Sequence, residues 1–168
     1  MTFDWETRAW LAFAGSAFAL MGVNLAAGAE GHAASAADWP GSTSRSVAAL
    51  VAAYRAAGSA FGALGAALIA GAWLGPRGFA ALGRPIHLSA PQRLAAGAVL
   101  AAAGAGLAYH RLTLAAPRRL PACLDDGLLS GDGPTLRRRA ASAAAWLLSA
   151  DFLLFGCFLL SRRGGLNP

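Results

Sequence analysis

Three polar side chains interrupt long apolar runs of this chain, and they are the places where it could do chemistry. Asp151 stands inside WLLSADFLLFGCFLLSRR, Arg55 heads YRAAGSAFGALGAALIAGAWL, and Asn24 falls late in WLAFAGSAFALMGVNLAAG. A carboxylate away from water is costly unless it is paired or protonated. A guanidinium at the head of such a run either finds a partner or reaches back to water. A lone carboxamide serves first as a hydrogen-bonding bridge between helices. Acting together, the three suit a polar path for a proton or a small solute.

Other chemistry lacks its residues. Haem held by two histidines needs both of them inward-facing on spans, yet His32 and His87 fall in polar stretches and His110 ends an apolar one. Cys123 and Cys157 have no metal-ligand spacing, and about 25 Å of helix would separate Cys157 from the loop holding Cys123. No HExxH, GxSxG or phosphate-cradling glycine loop occurs. Asp125 and Asp126 read as a solvated loop or a helix cap. The expectation is therefore no catalytic residue, no metal and no cofactor, and a protein that is not an enzyme.

Composition supplies the setting. Of 168 residues 57% are hydrophobic and only 13% charged, about half the charge of an ordinary soluble domain. The charges bunch between runs of Ala, Gly, Leu and Phe, as in a polytopic membrane protein forming one domain over residues 1–168. All 14 basic residues are Arg, and Ala and Gly fill the spans. We read that as the codon bias of a GC-rich bacterial genome. The net charge of +6 is read as a basic rim against anionic lipid headgroups, not as a nucleic-acid surface. Asp4 and Glu6 stand where a signal peptide would be basic, so the first apolar run reads as a retained span.

The fold class expected is all-α, a four-transmembrane-helix bundle with spans at about 9–28, 47–74, 93–112 and 140–160. The second is longer than a crossing requires and must tilt or protrude. The third is nearly all Ala and Gly, so three spans plus one interfacial helix is the alternative. The intervening stretches, rich in Pro, Gly, Ser and Asp, read as loops, with PACLDDGLL as one short interfacial turn. Trp10, Trp73 and Trp146 fall near span ends, as an interfacial aromatic belt requires. With the N-terminus inside, six arginines lie on its side against seven opposite. The acid-free second loop and the basic C-terminus then favour the N-terminus inside a bacterial cytoplasmic membrane.

Small residues at helical spacing mark contact faces in lipid. Gly15, Ala19, Gly22 and Ala26 form one stripe, and Gly97, Ala101, Gly104 and Ala108 another at the same spacing. We read these as two independent seams, with a duplicated hairpin as the alternative. On the second span a helical wheel groups Arg55, Ser59, Gly62 and Ala66, with Gly58 beside them. It turns Leu50, Ala57, Phe61, Leu64 and Leu68 toward lipid. Counting twenty residues back from Leu74 ends on Arg55, which reads as a surface anchor. A pair with Asp151 is the rival reading, because from Val47 and Ala140 the two match within about 5 Å of rise. Asp151 shares a face with Leu147, Leu154, Phe155 and Phe158, opposite Ser142, Ala145, Ser149 and Gly156, so the fourth span has two faces to bury.

The stretch YRAAGSAFGALG, following a span and a polar loop, resembles the second-helix opening of small bacterial four-helix membrane families of unknown function. In those an Arg followed by spaced glycines begins the helix. Over some thirty residues the resemblance implies a compact four-helix bundle with Arg55 as an architectural residue. The functional expectation is a non-enzymatic integral membrane protein, free-standing or an accessory subunit of a membrane complex. Its partners would be the lipid bilayer and other subunits or its own copies. The alternative is a small-solute or proton-coupled carrier working as an oligomer.

Overall fold

The computed structural model describes residues 5–37, 46–75, 88–110, 112–113 and 133–161. Five α-helices account for nearly all of them: α1 (Trp5–Ala27), α2 (Ala29–Ala37), α3 (Val47–Leu74), α4 (Ala90–His110) and α5 (Gly133–Ser161). Ala and Leu, the strongest helix formers, dominate the long ones. Caps mark the ends. The Ser46 side chain accepts the Ala49 amide before α3, and after it Gly75 donates to Gly71 O from a φ of 74°. Only glycine adopts that angle without strain. At α4 the Gln92 side chain accepts the Ser89 amide at 2.9 Å, half of a capping box.

α1, α3 and the Leu136–Ser161 part of α5 are long and apolar enough to cross a membrane. α4 is 21 residues long, but its Ala and Gly content leaves it outside that group. The expected spans at 9–28 and 140–160 are extended at their outer ends, to Trp5 and back to Gly133. The third runs Ala90–His110 instead of 93–112. α3 spans 28 residues, roughly 42 Å at 1.5 Å per residue, against about 30 Å of hydrocarbon. The excess is accompanied by α2, which packs on α3. Residues 29–37 were read as loop; they continue α1 past one irregular residue, Gly28, whose flanking bonds Gly28 N to Asn24 O and His32 N to Gly28 O stay helical. The PACLDDGLL turn lies outside the described residues.

The long helices stand in a row, α3–α1–α5–α4, with α1 and α5 inside. Each is antiparallel to its neighbour, as the residue pairs across the seams show. In the α1–α3 seam a Cβ built on Gly22 would lie 2.6 Å from Gly62 N and 2.7 Å from Gly58 O. One on Gly15 would meet Ile69 and Gly65 O at 2.6 and 2.9 Å. In the α4–α5 seam Gly104 would meet Leu153 N at 2.6 Å and Ser149 O at 2.8 Å, and Gly97 would meet Gly156 O and Leu160 at 3.0 Å. The seams are built alike, contact for contact: Gly65 faces Ala19 and Gly15 as Gly156 faces Ala101 and Gly97. The two hairpins are therefore structural repeats across their seams.

The α3 face was misplaced by the wheel. Its contact stripe runs Gly58, Gly65 and Ile69, with the Gly62 backbone beside it, about 60° from the expected centre at 100° per residue. Arg55, Ser59 and Ala66 are exposed. Phe61, assigned to lipid, stacks on Phe18 at 5.6 Å. The two buried faces of the last span are both filled within this chain. Ser149 and Gly156 meet α4, and Phe152, Phe155 and Phe158 meet α1. Leu147 and Leu154 remain exposed. Of the proposed belt, Trp73 and Trp146 face outward, while Trp10 turns inward against Phe155.

Close approach of backbones is what glycine permits here, so Gly58→Leu should lower the unfolding midpoint in detergent strongly, because its first side-chain atom already collides with Ala26 N at 2.6 Å. The cost should reach or exceed the roughly 1–3 kcal/mol of ordinary overpacking. Gly62→Leu points into open space and should shift the midpoint little. Equal loss in both variants would refute the assigned seam.

Candidate functional site

The three intramembrane polar residues anticipated from the sequence do not converge. They sit at three heights, each with its own partner, Asp151 and Asn24 on the α1–α5 join and Arg55 between α3 and α2. Asp151 lies opposite the middle of α1, where Ser16 Oγ donates to its Oδ2 at 2.8 Å. Ser16 is also 2.9 Å from Phe13 O on its own helix. On the Trp5 side of this contact the join is aromatic. Phe13 stacks on Phe155 at 4.3 Å with rings 5° apart. Trp10 meets Phe155 edge-on at 4.9 Å and Trp5 meets Phe158 at 6.1 Å.

Nearer the α2 end, Asn24 Nδ2 donates to Ala141 O at 2.9 Å, tying α1 to α5. Its Oδ1 accepts from His32 Nε2 at 3.1 Å, which selects the Nε2–H tautomer. His32 in turn lies 5.5 Å from the Tyr54 ring, centroid to centroid. One carboxamide thus joins α1, α2 and α5, and His32, read as a loop residue, is part of the bridge.

Arg55 marks the next level outward. Its Nη2 donates to Glu30 Oε1 on α2 at 3.1 Å. Arg137 Nη1 approaches the same oxygen from α5 at 3.9 Å. The Arg55–Asp151 pair is therefore not formed, since each residue is engaged elsewhere. Counting from Val47 suggested a match in height, but the first turns of α3 run alongside α2 and lift Arg55 above Asp151. The count back from Leu74 is the one that agrees with the structure.

At the opposite end Glu6 Oε1 and Arg93 Nε stand 3.8 Å apart and link α1 to α4 across α5. Arg93 Nη2 donates to Leu88 O at 3.2 Å. Glu6 Oε1, Trp10 Nε1 and Arg93 Nε are buried without a hydrogen-bond partner. Cys157 is an exposed free thiol, and Cys123, Asp125 and Asp126 lie outside the described residues. Among the described residues no group of three His, Cys, Asp or Glu could hold a metal ion.

Sequence reasoning missed Ser16, Glu30, His32 and Arg137 as partners. Ser16 was hidden in the small-residue run GSA. Glu30 and His32 were legible only through the spacing Asn24, Gly28, His32, four apart on one helical face. No family model matches this chain, and no curated protein or solved structure matches it either.

Two double-mutant cycles separate the contacts. Asp151→Asn combined with Ser16→Ala should show a coupling of about 0.5–1.5 kcal/mol in detergent unfolding. Asp151→Asn combined with Arg55→Gln should be additive within a few tenths of a kcal/mol. The reverse pattern would restore the ion pair and overturn the partners assigned here.

Proposed function

We propose that this is a non-enzymatic integral membrane protein of a bacterial cytoplasmic membrane, whose α1, α3, α4 and α5 all cross the bilayer. Its role in this reading is structural, as an accessory subunit of a membrane complex. The observation that supports it most is the row itself. Two backbone-to-backbone seams and an aromatic join consume the glycines and the inward aromatics. The polar side chains are spent one by one on helix-to-helix contacts. Among the described residues, no two of the polar groups bridging the helices are placed as an acid and base or as a nucleophile and its activator.

The packing of α4 supports its crossing. It runs antiparallel to α5 with Gly97 and Gly104 against Gly156, Leu153 and Ser149, at the same heights that α1 and α3 share. A helix satisfies its own backbone bonds in lipid, and one lying along a spanning neighbour is positioned to cross beside it. An interfacial helix would lie across α5, not along it.

A small-solute or proton-coupled carrier is the second reading, and the Ser16–Asp151 contact at mid-height favours it. A row of four helices encloses no path by itself, so a carrier would need further copies to close one. Orientation follows the arginines. With Arg55 grouped beside Glu30, the α2 side holds eight against six. We therefore place that side in the cytoplasm, reversing the expectation drawn from the sequence.

Native mass measured after gentle detergent extraction tests the role. Co-extraction of other membrane proteins in fixed ratio is expected. A stable homo-oligomer alone would favour the carrier, and a lone monomer would remove the subunit reading. Reporter fusions at Met1 and Pro168 should give the same signal, that of the non-cytoplasmic side. Opposite signals at the two ends would mean three crossings.

A further inference from the structure

Among the described residues the outermost polar level sets two arginines against one acid. Arg55 from α3 and Arg137 from α5 converge on one oxygen of Glu30 from α2, at 3.1 and 3.9 Å. Two guanidinium groups offer ten N–H donors between them, and the nearer contact uses one. The three side chains stay open to the surroundings, Arg55 at 49%, Arg137 at 62% and Glu30 at 66% exposure. Arg138, in the same turn of α5 as Arg137, is exposed as well. The cluster thus carries a net positive charge on a surface that other groups can reach.

Its height is set by the helices. From Arg55 to Leu74 is twenty residues, about 30 Å of rise, which is the thickness of the hydrocarbon. Tyr54 stands at the same height against His32, an amphipathic ring where the headgroups begin. Asn24 ties the α1–α2 corner to α5 through Ala141 and to His32, and α2 packs on α3, which brings the two arginines to Glu30 from different helices.

We propose that Arg55 and Arg137 form a binding site for the phosphate group of an anionic phospholipid, with Glu30 as the internal anion that the lipid displaces. This rests on the membrane-spanning reading above. A planar guanidinium fork matches phosphate oxygens two at a time, and two forks from different helices enclose one phosphate as a single carboxylate oxygen cannot. Glu30, joined to them through one oxygen and largely exposed, is free to swing aside on its own stem. A zwitterionic headgroup brings its own cation and gains less from the site. The charge excess sits on the side we assign to the cytoplasm, the leaflet whose surface potential is negative.

The test uses the full-length chain in mild detergent micelles supplemented with phosphatidylglycerol or with phosphatidylcholine. Adducts are counted by native mass spectrometry, and thermal midpoints are taken on the same samples. Phosphatidylglycerol should be retained preferentially and should raise the midpoint. Each guanidinium removed, Arg55→Gln or Arg137→Gln, should cut that preference about fivefold. Glu30→Gln should increase it, a direction that no loss of folding would produce. Arg8→Gln, at the opposite end of α1, should leave it unchanged. No preference in the parent chain, or a lower one in Glu30→Gln, would overturn the site. Equal stabilisation by millimolar inorganic phosphate would assign the phosphate to solution and overturn the lipid. Carbonate extraction of membranes is run first. Release of the chain would sink the membrane reading itself, whereas retention without lipid preference would sink only the site.

Discussion

Everything in this protein hangs on how closely two helix backbones can approach. Lipid tails offer helices no hydrophobic reason to associate, so packing and polar contacts must hold them. At the Gly22–Gly58 and Gly104–Ser149 crossings there is no room for even one added carbon. Once the backbones touch, the side chains on either flank are placed. Phe18 meets Phe61 beside the first seam. Leu159 is buried beside the second. The rotation each seam imposes on α1 and α5 then decides which residues of those helices face each other.

That rotation gives the central join a different chemistry. Between α1 and α5 the large residues Trp10, Phe13 and Phe155 interlock, holding the backbones apart. Space opened by the rings is what lets Ser16 and Asp151 meet at mid-height and Asn24 reach a backbone carbonyl. Polar contacts are affordable there only because each is satisfied within the join. The seams give closeness, and the join gives direction and register.

Much of this was legible in the residues, and the failures have physical causes. Apolar length located the four long helices, and the stripes on α1 and α4 stood out through the repeated spacing of Gly15 and Gly22 and of Gly97 and Gly104. On α3 the run Ala56, Ala57, Gly58, Ser59, Ala60 is small on every side. A wheel cannot choose a face there, and it chose one about 60° off. α2 was lost because the stretch after Gly28, rich in Gly, Ser, Asp and Pro, reads as loop, although the helical bonds pass through Gly28. Arg55 stands well away from Asp151 in height, as the count from the far end of its helix had it and the count from the near end did not, because the first turns of α3 run alongside α2. Asp151 was recognisable as needing a partner, but nothing distinguishes Ser16 from a packing residue until its helix is turned.

The likeness of the two seams also poses a problem during synthesis. A nascent α4 presents the same glycine spacing as α1, so α3 is offered two docking edges of nearly equal quality, and α5 is offered two as well. Chain order helps, since α1 and α3 meet before α4 has been made. What separates correct from crossed assembly afterwards is the minority of unlike contacts: the carboxamide reaching Ala141, the hydroxyl reaching Asp151 and the Glu6–Arg93 link across α5. Those few groups are what tell two otherwise interchangeable interfaces apart.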